Sequence, residues 1–273
     1  MRIGRIPWIN CYPVYGAIDR GLVRVPAEIV SGTASELNDL LATGDLQVSV
    51  VSAVEYARNA AAYHLLPDLA ITCDGPVHSV ALFSRRPIAE LEGRTVLLTA
   101  SSRTSVFLLE LLCRHRWQVS PRLATARAEA SDLDALAGLP HEAVLVIGDA
   151  ALLLRARGLY PVHVDLGLEW KRWTGLPFVF AVWAARREAA PAEVRTIHER
   201  LLESRAWGLG HLDLLATEAS RATGVPGAVC REYLGDLDYA LSYRHLAGLT
   251  DFFRRLAADG AVPDGSLSFI SAA

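Results

Sequence analysis

Residues Ser101-Ser102-Arg103-Thr104-Ser105 put four hydroxyls and a guanidinium in five consecutive positions. The short apolar run Val96-Leu97-Leu98 lies just before them. Val106, Phe107, Leu108, Leu109, Leu111 and Leu112, apolar on almost every side, follow. The first run has the length of a buried strand and the second suits a buried helix. A turn between them leaves backbone N–H groups free at the helix start, where the helix dipole adds partial positive charge. Such a place seats an anion, and a carboxylate fits it well, with Arg103 and the hydroxyls as further donors. The plainer alternative is that Ser101, Ser102 or Thr104 only caps the helix.

Three more polar residues close apolar runs. Asn10 stands just past a first strand expected over residues 1–9, in Asn10-Cys11-Tyr12-Pro13. In an open α/β sheet ligands bind at that end of a strand; the alternative is an Asx-turn ahead of Pro13. Ser52 ends a strand expected over 47–51 and is read as a ligand contact or a helix cap. Asp149 follows a strand expected over 143–147, in GDAALLL, and is read as an N-cap or a contact from a facing loop.

Positioning these residues takes a β-α-β frame. Thr33-Ala34-Ser35-Glu36 has capping-box spacing, Leu37, Leu40 and Leu41 share a helix face, and Gly44 supplies the stop. Strands near 27–30 and 47–51 flank that helix, which implies parallel pairing through a right-handed crossover. Residues 65–72 and 77–84 read as further strands, with turn chemistry at Asp74-Gly75-Pro76 and a crossing to a second lobe near Ser84. Residues 125–136 read as a polar segment, 163–166 as a short strand and 178–184 as the returning strand. Of Trp170, Trp173 and Trp183, the two near Gly175 and Pro177 line a cleft wall or fill the core. Beyond Arg187 the pattern is helical, with faces Val194/Ile197/Leu201, Leu212/Leu215/Ala216/Ala219 and Leu246/Leu249/Phe252/Phe253/Leu256. The expectation is an α/β protein of two lobes, residues 1–84 with 178–273 and residues 85–177, the C-terminal helices packed on the first.

Composition narrows the chemistry. A chain of 273 residues, 52% hydrophobic and 21% charged, is globular and long enough for two lobes. A net charge of −3 points to neither nucleic acid nor an acidic membrane as partner. Lys171 is the one lysine among 27 basic residues and lies in a Trp-rich, loop-like stretch, so Schiff-base chemistry is set aside. Four scattered cysteines read as buried thiols of a reducing cytosol, and the eight histidines show no zinc spacing. Neither a G-x-x-x-x-G-K nor a G-x-G-x-x-G is present. The N-terminus lacks an apolar signal region, and no apolar run is long enough to span a bilayer, so a cytoplasmic protein is expected.

In this order the pieces resemble the type II periplasmic-binding-protein fold, with a cleft between two lobes. IPWINCYPVY, CDGPVHS, SSRTSV, VLVIGDAAL and EWKRWTGLPFVFAVWA together resemble the chorismate dehydratases of the futalosine route to menaquinone. The resemblance runs from about Ile3 to Ala185 and more loosely through the C-terminal helices. It implies loss of water from chorismate to give 3-[(1-carboxyvinyl)oxy]benzoate by a carbon–oxygen lyase without metal or cofactor. It matches the family's functional asparagine to Asn10 and its serine to Ser79. It places Ser101 to Ser105, Gly148 and Asp149 around the substrate, and gives His78 no role. Asn10 would position the departing hydroxyl, Ser79 would hold substrate or relay a proton, and the serine-rich turn would seat a carboxylate.

The base is then either Asp149 or the substrate's own side-chain carboxylate. The expected partner is a small molecule, chorismate, and the expected state a monomer or weak homodimer. Three other readings use the same fold: a solute receptor, a regulator's effector domain, and a sibling enzyme acting on a later, larger intermediate. The first calls for an export signal or anchor and the second for an attached helix-turn-helix.

Overall fold

A computed structural model of the chain describes residues 1–100, 102–263 and 265–271. The N-terminal unit forms as its local signals require. Strands β1 (Arg2–Arg5), β2 (Glu28–Ser31) and β3 (Val48–Ser52) pair in parallel. Helix α1 (Tyr12–Asp19) joins the first two, and α2 (Ala34–Thr43) the next two. Thr33 accepts from the Glu36 N–H and the Glu36 side chain answers at the Thr33 N–H, closing the capping box. Gly44 ends α2 with φ +91°. A short α3 (Ala53–Arg58) leads to β4 (Tyr63–Cys73).

The second sheet follows: β5 (Val80–Ser84), β6 (Thr95–Thr99), β7 (Arg122–Ala126), β8 (Ala143–Ile147) and β9 (Val162–Asp165). Its helices are α4 (Arg103–Leu111), α5 (Leu133–Ala137), α6 (Gly148–Arg157) and α7 (Leu166–Thr174). The chain then returns as β10 (Phe178–Arg186), antiparallel between β3 and β4. The two orders are β2-β1-β3-β10-β4 and β7-β6-β8-β5-β9. α8 (Pro191–Leu209), α9 (Leu212–Thr223), α10 (Gly227–Asp236) and α11 (Tyr243–Ala258) complete the chain. α8 lies along α1 and α11 against β10, so this helical layer covers the first sheet. α8 comes so near that a Cβ built on Gly208 would run into the Pro13 carbonyl.

Several expectations are corrected. β5 pairs with β8 and β9, so the chain leaves the first sheet after Cys73 and not near Ser84. Residues 77–79, read as strand, form a tight turn in which His78 has φ +60°. β1 ends at Arg5 and not at residue 9. The polar segment overlaps β7, an exposed edge strand that hides little apolar surface and so carries no pattern. Lys171 is helical, in α7, and pairs with Asp74. Trp170 and Trp183 are fully buried core residues, and Trp173 packs edge-on against Trp170. The four cysteines are buried free thiols. No helix among the described residues is long and apolar enough to cross a membrane.

Candidate active site

Asn10, Ser52, Ser79, Ser102, Ser105 and Gly148 all face one slot between the two sheets. The slot holds about 590 Å³ of space, counted out to its mouth. Trp8, Ile71, Ile147 and Phe180 make its apolar walls, which set its few polar atoms in a low dielectric.

Asn10 sits in a 3-10 turn, Ile9–Cys11, between β1 and α1, and Pro13 in the first turn of α1 needs no N–H partner there. Its Oδ1 is buried and has no hydrogen-bond partner among the described residues. An unmet buried acceptor costs about 1–3 kcal/mol, and this one belongs to a residue that lines the slot.

Ser79 is held more firmly. The Asp165 carboxylate accepts from the N–H groups of Val77 at 3.0 Å, His78 at 2.6 Å and Leu168 at 3.0 Å. The Gly148 N–H donates to the Ser79 carbonyl at 2.7 Å, and the Tyr233 hydroxyl donates to Ser79 Oγ at 2.8 Å. Gly148 has φ +63°, a conformation that favours glycine, and a Cβ there would stand 3.3 Å from the Trp8 indole, which would have to shift slightly.

Asp149, in the first turn of α6, is not an N-cap. Its Oδ1 accepts from the Ile9 N–H at 3.2 Å, across the lobes. Burial pushes its carboxyl up to about 7; Glu129 adds to this and the Ile9 N–H opposes it.

The serine-rich turn divides. Ser102 caps α4, accepting from the Ser105 N–H at 3.3 Å, and the two hydroxyls lie 3.1 Å apart at the slot. Ser52 both lines the slot and caps α3, accepting from the Glu55 N–H at 3.2 Å. Thr104 and Arg103, expected around the substrate, turn toward α3. The Val54 N–H donates to Thr104 Oγ1 at 3.0 Å, and Arg103 Nη1 meets Glu55 Oε2 at 2.9 Å. Glu55 is buried and draws the guanidinium away from the slot. Ser101 lies outside the described residues.

Arg103 and Thr104 therefore tie the lobes together. The pair is half-exposed on the Arg103 side, worth about 0.2–1 kcal/mol. Arg103→Ala is expected to raise KM about two- to fivefold with kcat nearly unchanged, measured by steady-state kinetics.

His78, Glu232 and Asp236 bring ligand-capable atoms within 4.8 Å of one another. Arg155 donates to His78 Nδ1 at 2.8 Å, so Nε2 carries the proton that bonds Asp236 at 2.8 Å. That tautomer offers a cation no lone pair. Sequence reasoning missed Trp8 as slot wall, Asp165 as anchor and Tyr233 behind Ser79. Asp165 had a signal, three residues ahead of a helical N–H it caps. Tyr233 had none.

Two α/β sheets joined by two crossovers, with polar groups of both lobes meeting in one slot, define the periplasmic-binding-protein-like class. The alkanesulfonate-binding protein SsuA from Xanthomonas axonopodis pv. citri shares the fold at TM-score 0.72 with 15% identity, over 98% of this chain and 95% of that one. Residues 1–258 match the family model described as menaquinone biosynthesis, and the chain belongs to that family. It is 33% identical over 243 residues to the chorismate dehydratase of Thermus thermophilus, covering 84% of this chain and 86% of that protein. It is 29% identical over 213 residues to that organism's 1,4-dihydroxy-6-naphtoate synthase, covering 77% and 75%.

Proposed function

We propose that the protein is a chorismate dehydratase, a carbon–oxygen lyase giving 3-[(1-carboxyvinyl)oxy]benzoate and water, cytoplasmic and working as a monomer or weak homodimer. The observation that carries this reading is the meeting of Asn10 and Ser79 in one slot, with Asn10 Oδ1 left unpaired. Its likeness to the Thermus dehydratase supports the same substrate.

The base removes the proton from the ring carbon that bears the enolpyruvyl ether, and the electron pair spreads through the diene into the ring carboxylate. Hydroxide then leaves the neighbouring carbon with the C–O pair, the ring becomes aromatic, and the proton and hydroxide together account for one water. Oxidation state is unchanged overall, so the step as written calls for no redox cofactor. Ser102, Ser105 and the N-terminus of α4 seat the carboxylate where charge collects. Each hydrogen bond to a charged group contributes roughly 1.5–3 kcal/mol, and about 1.4 kcal/mol is tenfold in rate. Asn10 accepts from the hydroxyl that departs, and Ser79 donates to it.

Asp149 does not line the slot and its Oδ1 is committed to Ile9, which favours the substrate's side-chain carboxylate as base. With that base, kcat is level across pH 6–8; with Asp149 as base it climbs through about 7, where that group loses its proton. The stability of the fold carries the opposite sign. Because burial lifts Asp149 from 3.8 to about 7, its contribution is complete below 3.8 and lost as pH rises through about 7. Asp149→Asn should therefore gain Tm over the parent between pH 4 and pH 8, read by thermal melts at both.

Incubating the purified protein with chorismate and following ultraviolet absorbance tests the function: ring aromatisation is expected. An unchanged spectrum would overturn it in favour of binding without chemistry or the sibling's later substrate.

A further inference from the structure

We propose that Tyr233 is a positioning residue that aims the Ser79 hydroxyl proton into the slot. This rests on the dehydratase reading and adds to it a residue from the C-terminal helices. α10, which carries Tyr233, packs against the 3-10 turn that holds Asn10. Tyr233 is itself 1% exposed and lies behind the slot wall, so it meets no substrate.

A serine hydroxyl has one proton and two acceptor positions. Tyr233 donates to Ser79 Oγ at 2.8 Å and fills one acceptor position, so the Ser79 proton points elsewhere. The open side of Ser79 is the slot. Beside it Asn10 Oδ1, buried without a partner among the described residues, offers the slot an acceptor, and Ser79 offers it a donor. A single alcohol hydroxyl satisfies both, giving its proton to Asn10 Oδ1 and taking a hydrogen bond from Ser79. As the C–O bond lengthens, charge grows on the oxygen that Ser79 faces.

Burial pushes the Tyr233 phenol well above its ordinary value, against the pull of Ser79 and Asn10. Tyr233 thus keeps its proton and acts through Ser79 alone. A purely structural hydroxyl pair would be served as well by the reverse bond, with Ser79 donating, and its loss would move Tm and not kcat.

The test is a double-mutant cycle on chorismate turnover with Tyr233→Phe, Ser79→Ala and the pair. Tyr233→Phe is expected to lower kcat about tenfold, the worth of one directed hydrogen bond, with KM within about twofold. In the Ser79→Ala background the same change should cost nothing further. Full kcat in Tyr233→Phe, or losses that multiply in the double variant, would overturn the proposal while leaving the dehydratase reading intact. No turnover by the parent protein would overturn the functional reading first, a distinct result. Ring fluorination of Tyr233 keeps the packing and strengthens the donor, so it reads the same link should the phenylalanine variant fold poorly. There kcat should rise only where Ser79 is present.

Discussion

Asn10→Ala is expected to lower kcat on chorismate by roughly 10²–10³-fold, the range seen when one preorganised polar partner of a transition state is removed. The thermal midpoint should stay level or rise slightly. Asn10 Oδ1 is buried without a partner among the described residues, so deleting it relieves an unmet acceptor. Lost activity with retained stability is what a group kept for substrate would show; a core residue would lose both. Steady-state aromatisation beside a thermal melt measures the two. A kcat within about threefold of the parent would remove Asn10 from the mechanism, since that is below the worth of one hydrogen bond.

Gly208→Ala should act on the fold first and on the site through it. The missing side chain lets α8 press directly on the Pro13 carbonyl in the first turn of α1, three residues past Asn10. A methyl there meets backbone, which moves only if a helix moves. Overpacking of this kind costs roughly 1–3 kcal/mol or more, against about 1 kcal/mol that alanine returns as a better helix former. A net loss near 2 kcal/mol corresponds to a Tm lower by about 4–8 °C in a chain of this size. Because α1 starts at the Asn10 turn, kcat should fall with it. A melt within about 2 °C of the parent would show that the two helices stand further apart.

What was legible in the sequence was what neighbours decide. Thr33, Glu36 and Gly44 fix both ends of α2 within a dozen residues, and 143–147 became a strand because it is apolar on both faces. The serine-rich turn was half legible. Ser102 caps α4 by local chemistry, but the direction of Arg103 and Thr104 depends on how α3 docks from the other lobe. The crossing was misplaced for a similar reason. Val77 and Val80 continue an apolar run, and the reversal at His78 uses a positive φ without a glycine to announce it. Of the site, Asn10 was legible as the polar residue just past the first strand, and Ser79 came through family resemblance alone. Tyr233 is far from both in the chain and becomes their neighbour only when α10 settles on the Asn10 turn.

Ser79 travels with the second lobe, through Gly148 and Asp165, whereas Tyr233 and Asn10 belong to the first. A separation of the two lobes at this slot would part the phenol from the serine. The serine's aim would then hold only while the lobes are together, which ties the proton's direction to an enclosed slot.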